Sequence, residues 1–198
     1  MIEIKISHKY ANQKFNGCDP EYIKNVCHAS CCQSTTSKNG TMITIHPSEN
    51  NKIKKIGGKI KNGFLEPINK KCPFKTDDHL CGLHLSKNKP FGCIASPFTL
   101  NKNNTLIIRN RYRLLKCYND GKKIPAYLAF KSSLDLLFGL KESNRIVNHL
   151  KNNNSDLIAY MNIKKYKILI ENDSIKKKNN TKQINLFSNS CLTLKINK

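Results

Sequence analysis

The chain has 198 residues, with 35 Lys or Arg against 13 Asp or Glu and a formal charge of +22 at pH 7; its pI is near 9.7 and its mean hydropathy −0.53. A hydrophobic fraction of 38% allows one domain with a modest core, and no run approaches the roughly 18 apolar residues of a membrane span. A basic protein with no membrane partner is expected. Its start, Met1-Ile2-Glu3-Ile4-Lys5-Ile6, has neither the basic nor the apolar region of an export leader, so a cytoplasmic location is expected.

In chain order, Met1 to Ile6 alternates Ile with charge and predicts a half-buried strand. Asp19-Pro20-Glu21 opens a helical turn that carries Tyr22, Ile23 and Val26 inward and ends near Cys27. Ser34 to Gly40 reads as a polar loop, and Thr41 to Ile45 as a strand stopped by Pro47. Between Asn51 and Lys75 stand eight lysines and one acidic residue, Glu66; Gly57-Gly58 and Gly63 make this a basic loop or a short hairpin. Thr105 to Tyr118 predicts a strand. Pro125 to Phe138 predicts a helix ended by Gly139, and Glu142 to Lys151 a second one. Ser155-Asp156 caps a further segment ending in the β-favouring run Tyr166 to Ile170, and Ile184, Leu186 and Phe187 form a possible last strand. The expected fold is α+β: a loop-rich cysteine cage on a small, mainly antiparallel sheet with C-terminal helices. Two units are expected: a metal-binding domain with its helical pair over residues 1–154, and a basic extension over 155–198.

Nine cysteines are present, and in a reducing compartment a cysteine array reads as a metal site before it reads as a disulfide framework. Six form two groups: Cys27, Cys31 and Cys32, then Cys72, Cys81 and Cys93 in a Pro-rich, turn-rich stretch. Thiolates select zinc and iron–sulfur centres. Adjacent side chains such as Cys31 and Cys32 seldom face one tetrahedral ion, so either one of them is structural or the site holds more than one metal atom. His84, three residues after Cys81, is at a zinc-ligand spacing, although an aromatic packing role serves it equally. Cys18 and Cys117 are candidate outer ligands; His28 and His79 are weaker ones, and Cys191 reads as a bystander.

Cys27-x3-Cys31-Cys32, Cys72-Pro73-Phe74, Cys81-x-Leu83-His84 and Lys89-Pro90-x-x-Cys93-x-x-x-Pro97 together resemble the YkgJ-type cysteine-cluster proteins, a zinc- or iron-chelating domain family. Flagellin lysine methylases carry a related cluster. The resemblance spans about residues 27–97 and implies a metal site without a mechanism. His84 stands where the family has Tyr, Lys89 and Ile94 where it has Arg, and Ser96 where it has an aromatic residue. The thiols are retained, whereas activity resting on those arginines is not implied.

Of the 35 basic residues only four are Arg, and three of these are Arg109, Arg111 and Arg113. On a strand they would share one face, with Tyr112 and Leu114 opposite, and their planar forks suit phosphate or carboxylate. A solvated face with snorkelling stems is the competing reading. The lysine excess likewise has two readings, genome composition bias or an anionic partner, most simply nucleic acid. Asp77-Asp78 is a turn between two thiols or a base near the metal. No Ser/His/Asp set, phosphate loop or dinucleotide fingerprint is present.

These features together predict a metal-binding protein whose cysteine cage holds an iron–sulfur cluster or zinc and whose basic surface engages nucleic acid or another anion. More than four available thiols favour the iron–sulfur cluster. The alternatives are a metal-dependent enzyme modifying a nucleic acid or a protein side chain, and a small interaction protein with structural zinc.

Overall fold

A computed structural model describes residues 1–32, 43–84, 86–119 and 124–175. The expectations for Ser34–Gly40, for Ile184, Leu186 and Phe187, and for Cys191 lie outside them. The strands are β1 (Ile2–Ile6), β2 (Lys14–Phe15), β3 (Ile60–Lys61), β4 (Phe64–Leu65), β5 (Phe98–Leu100), β6 (Thr105–Ile108), β7 (Ile124–Pro125) and β8 (Leu157–Met161). The helices are α1 (His8–Ala11), α2 (Pro20–Tyr22), α3 (Asn50–Lys55), α4 (Phe91–Ala95), α5 (Lys116–Asn119), α6 (Ala126–Ala129), α7 (Lys131–Phe138) and α8 (Leu140–Asn152), followed by α9 over 163–175. This is α+β. The four-stranded sheet runs β5-β6-β1-β8; β6 joins β1 in parallel, and the other two pairings are antiparallel. None of the described helices is long and apolar enough to cross a membrane.

The sheet and helices share one core. β1 turns Ile4 and Ile6 inward as its alternation requires, while Lys5 faces out and pairs with Asp156 at 2.9 Å. α8 buries Ser143, Ile146, Val147 and Leu150, an i, i+3, i+4, i+7 stripe. α7 adds Leu134, Leu137 and Phe138, and Gly139 ends it at φ 83°, a conformation that suits glycine. The predicted Pro125–Phe138 helix is broken at Phe130, whose φ of −123° leaves the helical region as its ring packs inward against Phe15 and Phe98.

β8 is an edge strand, and α8 seals it. The Tyr160 amide donates to Glu142 Oε1 (2.8 Å), and Arg145, paired with Glu142, donates to the Ile158 carbonyl (2.5 Å). These are two of the outward-facing backbone groups that would otherwise template another strand.

One predicted strand ends early, and another segment predicted as strand is helical. β6 stops at Ile108, and residues Asn110–Leu114 form a 3-10 turn followed by α5. Tyr112 and Leu115 are both buried; their spacing of three suits a 3-10 turn, whereas a strand would put them on opposite faces. Leu114, expected beside Tyr112, is 69% exposed. Tyr166–Ile170 lies within α9, where Leu169 and Asn172 are fully buried and the Tyr166 hydroxyl donates to Asn104 at 2.8 Å. Burial at that spacing overrides β propensity. Of the predicted Thr41–Ile45 strand, Thr44 makes a single antiparallel bridge to Phe64.

The unit boundary expected after residue 154 falls between α8 and β8. Residues 157–175 belong to the folded body, because β8 pairs with β1 along its length and α9 reaches across the molecule. Glu171 of α9 meets His46 at 2.6 Å, and Asp173 pairs with Arg109 at 3.2 Å.

The basic stretch forms α3 and the β3–β4 hairpin around a second, small core of Ile45, Ile53 and Leu65, with Cys72 and Phe74 packed against it. The hairpin expectation is thereby met, and the segment is positioned to carry Cys72 and Cys81.

Candidate metal centre

The first thiol group is set by helix chemistry. The Asp19 carboxylate accepts from the Glu21 and Tyr22 amides and caps α2. The chain then tightens into a π-helical turn over Ile23–Cys27. His28 and Ala29 follow in the left-handed region, φ 48° and 46°, costly for residues bearing a Cβ. This reversal turns Cys31 and Cys32, in a 3-10 turn, back toward the body.

The second group comes from a tight double turn. Gly82 donates to the Phe74 carbonyl at 2.8 Å, and Lys75 bridges to Cys81, which sets Cys72 and Cys81 side by side. Three contacts tie this turn to the first group. Lys75 Nζ donates to the His28 carbonyl (2.6 Å), the His28 and His79 rings stack with centroids 4.5 Å apart, and Lys24 pairs with Asp78 at 3.8 Å. Asp78 is thus turned to Lys24 at the surface, and the two histidines to each other.

Cys93 arrives on α4, whose first turn follows Pro90; the Phe91 amide donates to the buried Glu49 carboxylate at 2.9 Å. A cleft of about 180 Å³ results, and its walls include Cys18, Cys31, Cys32, Cys72, Cys81 and Cys93. His84, Lys89, Arg111 and Tyr112 also line it.

Electrostatics sorts these thiols. Burial pushes Cys93 up, and Cys32, Cys72 and Cys81 push it further, because like charges close together oppose ionisation. Burial likewise raises Cys72 to about 11, with Cys32 and Cys81 adding to it. Burial also raises Cys81, with Cys32 again contributing. Cys32, Cys72, Cys81 and Cys93 therefore form a quartet in which every pair interacts. Cys32 itself is raised first by its contact with Cys31, then by burial.

Cys31 stands apart from the quartet. It packs against the main core and, after burial, is the next influence raising Tyr112. Its sulfur is 3.8 Å from that of Cys32, and two thiolates on one tetrahedral zinc with bonds of about 2.3 Å are about 3.8 Å apart. The sequence expectation that one of the two adjacent cysteines is structural is compatible with this packing of Cys31 on the core. Among the described residues, no three His, Cys, Asp or Glu side chains already stand gathered around one point.

Cys27 is absent from the cleft wall; it influences Cys117 and also Cys18, which does line the cleft. Burial raises Cys117 to about 12, with Cys18 and Cys27 the next influences, and burial followed by Cys27 raises Cys18. Sequence spacing grouped Cys27 with Cys31; the left-handed turn at His28 and Ala29 separates them.

The arginine stripe is dispersed by the 3-10 turn. Arg109 is 8% exposed and donates to Asp173 (3.2 Å) and Ser96 Oγ (3.1 Å), while Thr99 donates to the same carboxylate. Arg111 lines the thiol cleft and lies 5.4 Å from the centroid of the Tyr112 ring. Arg113 is exposed. The strand-based reading of one shared anion-binding face is corrected accordingly, and Arg111 alone of the three reaches the cleft wall.

His84 is exposed at the cleft edge; burial first and then Lys89 hold its imidazole below the usual value, favouring the neutral, ligating form. No sequence signal pointed to Lys75 or Tyr112 as parts of this site; His28 and His79, weaker ligand candidates from the sequence, pack ring against ring. No family model, curated protein or solved structure matches the chain.

Proposed function

We propose that the chain is a thiolate metal-binding protein, with Cys32, Cys72, Cys81 and Cys93 as the ligands of one centre and Cys31 beside them. The observation that carries this reading is the convergence of four thiols from three separate chain segments on one cleft, every pair within electrostatic reach. The donor set fits the group. Four soft thiolates suit a Cys₄ zinc ion or an iron–sulfur cluster, and Lys75 and Lys89 lie near enough to offset their negative charge. The presence of more than four thiols on the cleft wall favours a cluster over a lone ion. A cluster supplies electron transfer or a structural clasp, and zinc a clasp. With four thiolates bound either centre is closed, which favours a binding or structural role over a catalytic one.

The second element of the reading is a basic surface for nucleic acid or another anion. It is supported by Lys54, Lys55, Lys59, Lys61, Lys70 and Lys71, all exposed within a segment whose one carboxylate is Glu66. Binding should weaken steeply with salt, because each neutralised phosphate releases counterions. Salt-independent binding, or none at low ionic strength, removes this element and leaves the metal site standing.

The test of the metal reading is the absorbance and metal content of protein purified without oxygen. A brown sample absorbing near about 400 nm identifies iron–sulfur, and a colourless zinc-bearing one identifies zinc. Cys72→Ser and Cys93→Ser should each release the metal. Full metal content in both variants would overturn the proposal.

A further inference from the structure

Two polar side chains on the cleft wall, Thr44 and Arg111, carry buried atoms without partners. Thr44 is 2% exposed, and its hydroxyl has no hydrogen-bond partner among the described residues. It stands against Gly92 of α4, also on the wall: a Cβ there would lie 3.1 Å from Thr44 Oγ1 and 3.7 Å from Asn172 Nδ2. Asn172 is fully buried, and neither its Nδ2 nor its Oδ1 has a partner. Glycine thus keeps room beside a threonine hydroxyl and an amide N–H. Buried polar groups are nearly always paired, so unpartnered ones converging on one point mark a place for a further polar group. Arg111 supplies the charge. Arg109 pairs with Asp173 and Arg145 with Glu142, whereas Arg111 forms no ion pair among the described residues and its buried Nε has no acceptor. Its guanidinium lies over the Tyr112 ring, which steadies it. Lys89 is on the same wall, and no Asp or Glu is.

We propose that the cleft binds a small oxyanion, with the Arg111 guanidinium as its cation and the Thr44 hydroxyl as a second donor. A guanidinium presents planar, paired N–H groups that match a carboxylate or a tetrahedral oxyanion. A cleft of about 180 Å³ falls below the roughly 300–1,000 Å³ that drug-sized ligands occupy, which limits the occupant to a small molecule. None of these donors is a thiol, so the site goes beyond the proposed metal centre and does not depend on it. It also differs from the exposed lysine surface. Lysines there offer charge alone, whereas a fixed guanidinium and a buried hydroxyl impose a geometry.

The test is a titration of the full-length chain, as purified, with sulfate and separately with acetate, chloride holding the ionic strength constant. Calorimetry reads the binding, and peptide mass spectrometry reads how fast phenylglyoxal modifies each arginine. At least one of the two anions should bind saturably and slow the modification of Arg111 while the exposed Arg113 reacts as before; which anion does so identifies a tetrahedral or a planar occupant. Arg111→Lys keeps the charge and loses the fork, and should weaken binding at least about tenfold. Thr44→Val removes the hydroxyl and should weaken it about fivefold. Arg113→Lys should leave it unchanged. The modification readout uses the unaltered chain and so survives a variant that fails to fold. Absence of saturable binding, or binding that Arg111→Lys or Thr44→Val leaves unchanged, overturns the site. Equal weakening by Arg113→Lys overturns it too, since the anion would then respond to net charge alone. A chain without metal that binds the anion as expected overturns the proposed metal centre and leaves this site standing; a metal-bearing chain that does not bind it overturns this site alone.

Discussion

The helix–sheet body and the cysteine lobe are built on different principles. The body draws twenty-four buried side chains of the described residues into one cluster, from Ile4 and Phe15 to Leu134, Ile146 and Leu169. The lobe that carries Cys72 and Cys81 has Ile45, Ile53 and Leu65 as its fully buried set. Ordering backbone costs about 1–2 kcal/mol per residue, and the segment spanning residues 43–84 buries four apolar side chains, these three and Phe64, beside the polar Thr44 and Glu49. Burial accounts for the body. On the proposed reading, thiolate–metal bonds add to the smaller burial of the lobe.

Metal removal tests this contrast with the largest expected effect. Thiolate–metal binding in small sites is worth on the order of 10 kcal/mol, so a chelator should open residues 43–84 to hydrogen exchange while β1, α7 and α8 stay protected. Equal loss of protection in both regions would show that they form one cooperative unit. Affinity should also rise with pH. The quartet thiols are raised above their ordinary value, Cys72 to about 11, and are therefore protonated near neutrality and must release protons to bind. The slope of log affinity against pH should approach four, and a slope near zero would exclude thiols as the ligands.

Within the body, Leu134→Ala removes a side chain that is 1% exposed and should cost about 2–5 kcal/mol in a single global transition. Arg109→Ala should cost about 3 kcal/mol, because it leaves the Asp173 carboxylate without its partner across the junction between β6 and α9. A loss below about 1 kcal/mol would show that α9 docks without this pair.

The smallest effect on stability is expected at the sheet edge. Glu142→Gln should cost less than about 1 kcal/mol, since Arg145 is 49% exposed, yet it weakens the seal on β8 and should promote self-association at high concentration. Arg145, with the Tyr160 amide, holds the Glu142 carboxyl below its ordinary range. Its contribution is therefore present above the unfolded glutamate value of about 4.3 and is lost as pH falls through the lower folded value. Sedimentation of wild type and variant across that range checks both statements.

Periodicity and local chemistry were legible because they act over a few residues. The alternation of Ile2, Ile4 and Ile6, the Asp19 cap, the α8 stripe and the Gly139 stop are all properties of short segments, and the structure has each of them. Cysteine content and clustering raised the expectation of thiolate chemistry, which the metal content of the purified protein is to test. Tertiary structure decided what depends on distant partners. Tyr112 and Leu115 needed the same core and bent an expected strand into a 3-10 turn, which dispersed the three arginines. Asp173, sixty-four residues away, claimed Arg109. The left-handed pair at His28 and Ala29 divided Cys27 from Cys32, and a lysine at position 75 bound the His28 carbonyl to join the two cysteine groups. Sequence spacing measures separation along the chain, whereas a ligand set is defined by separation in space; only the packing of the chain converts one into the other.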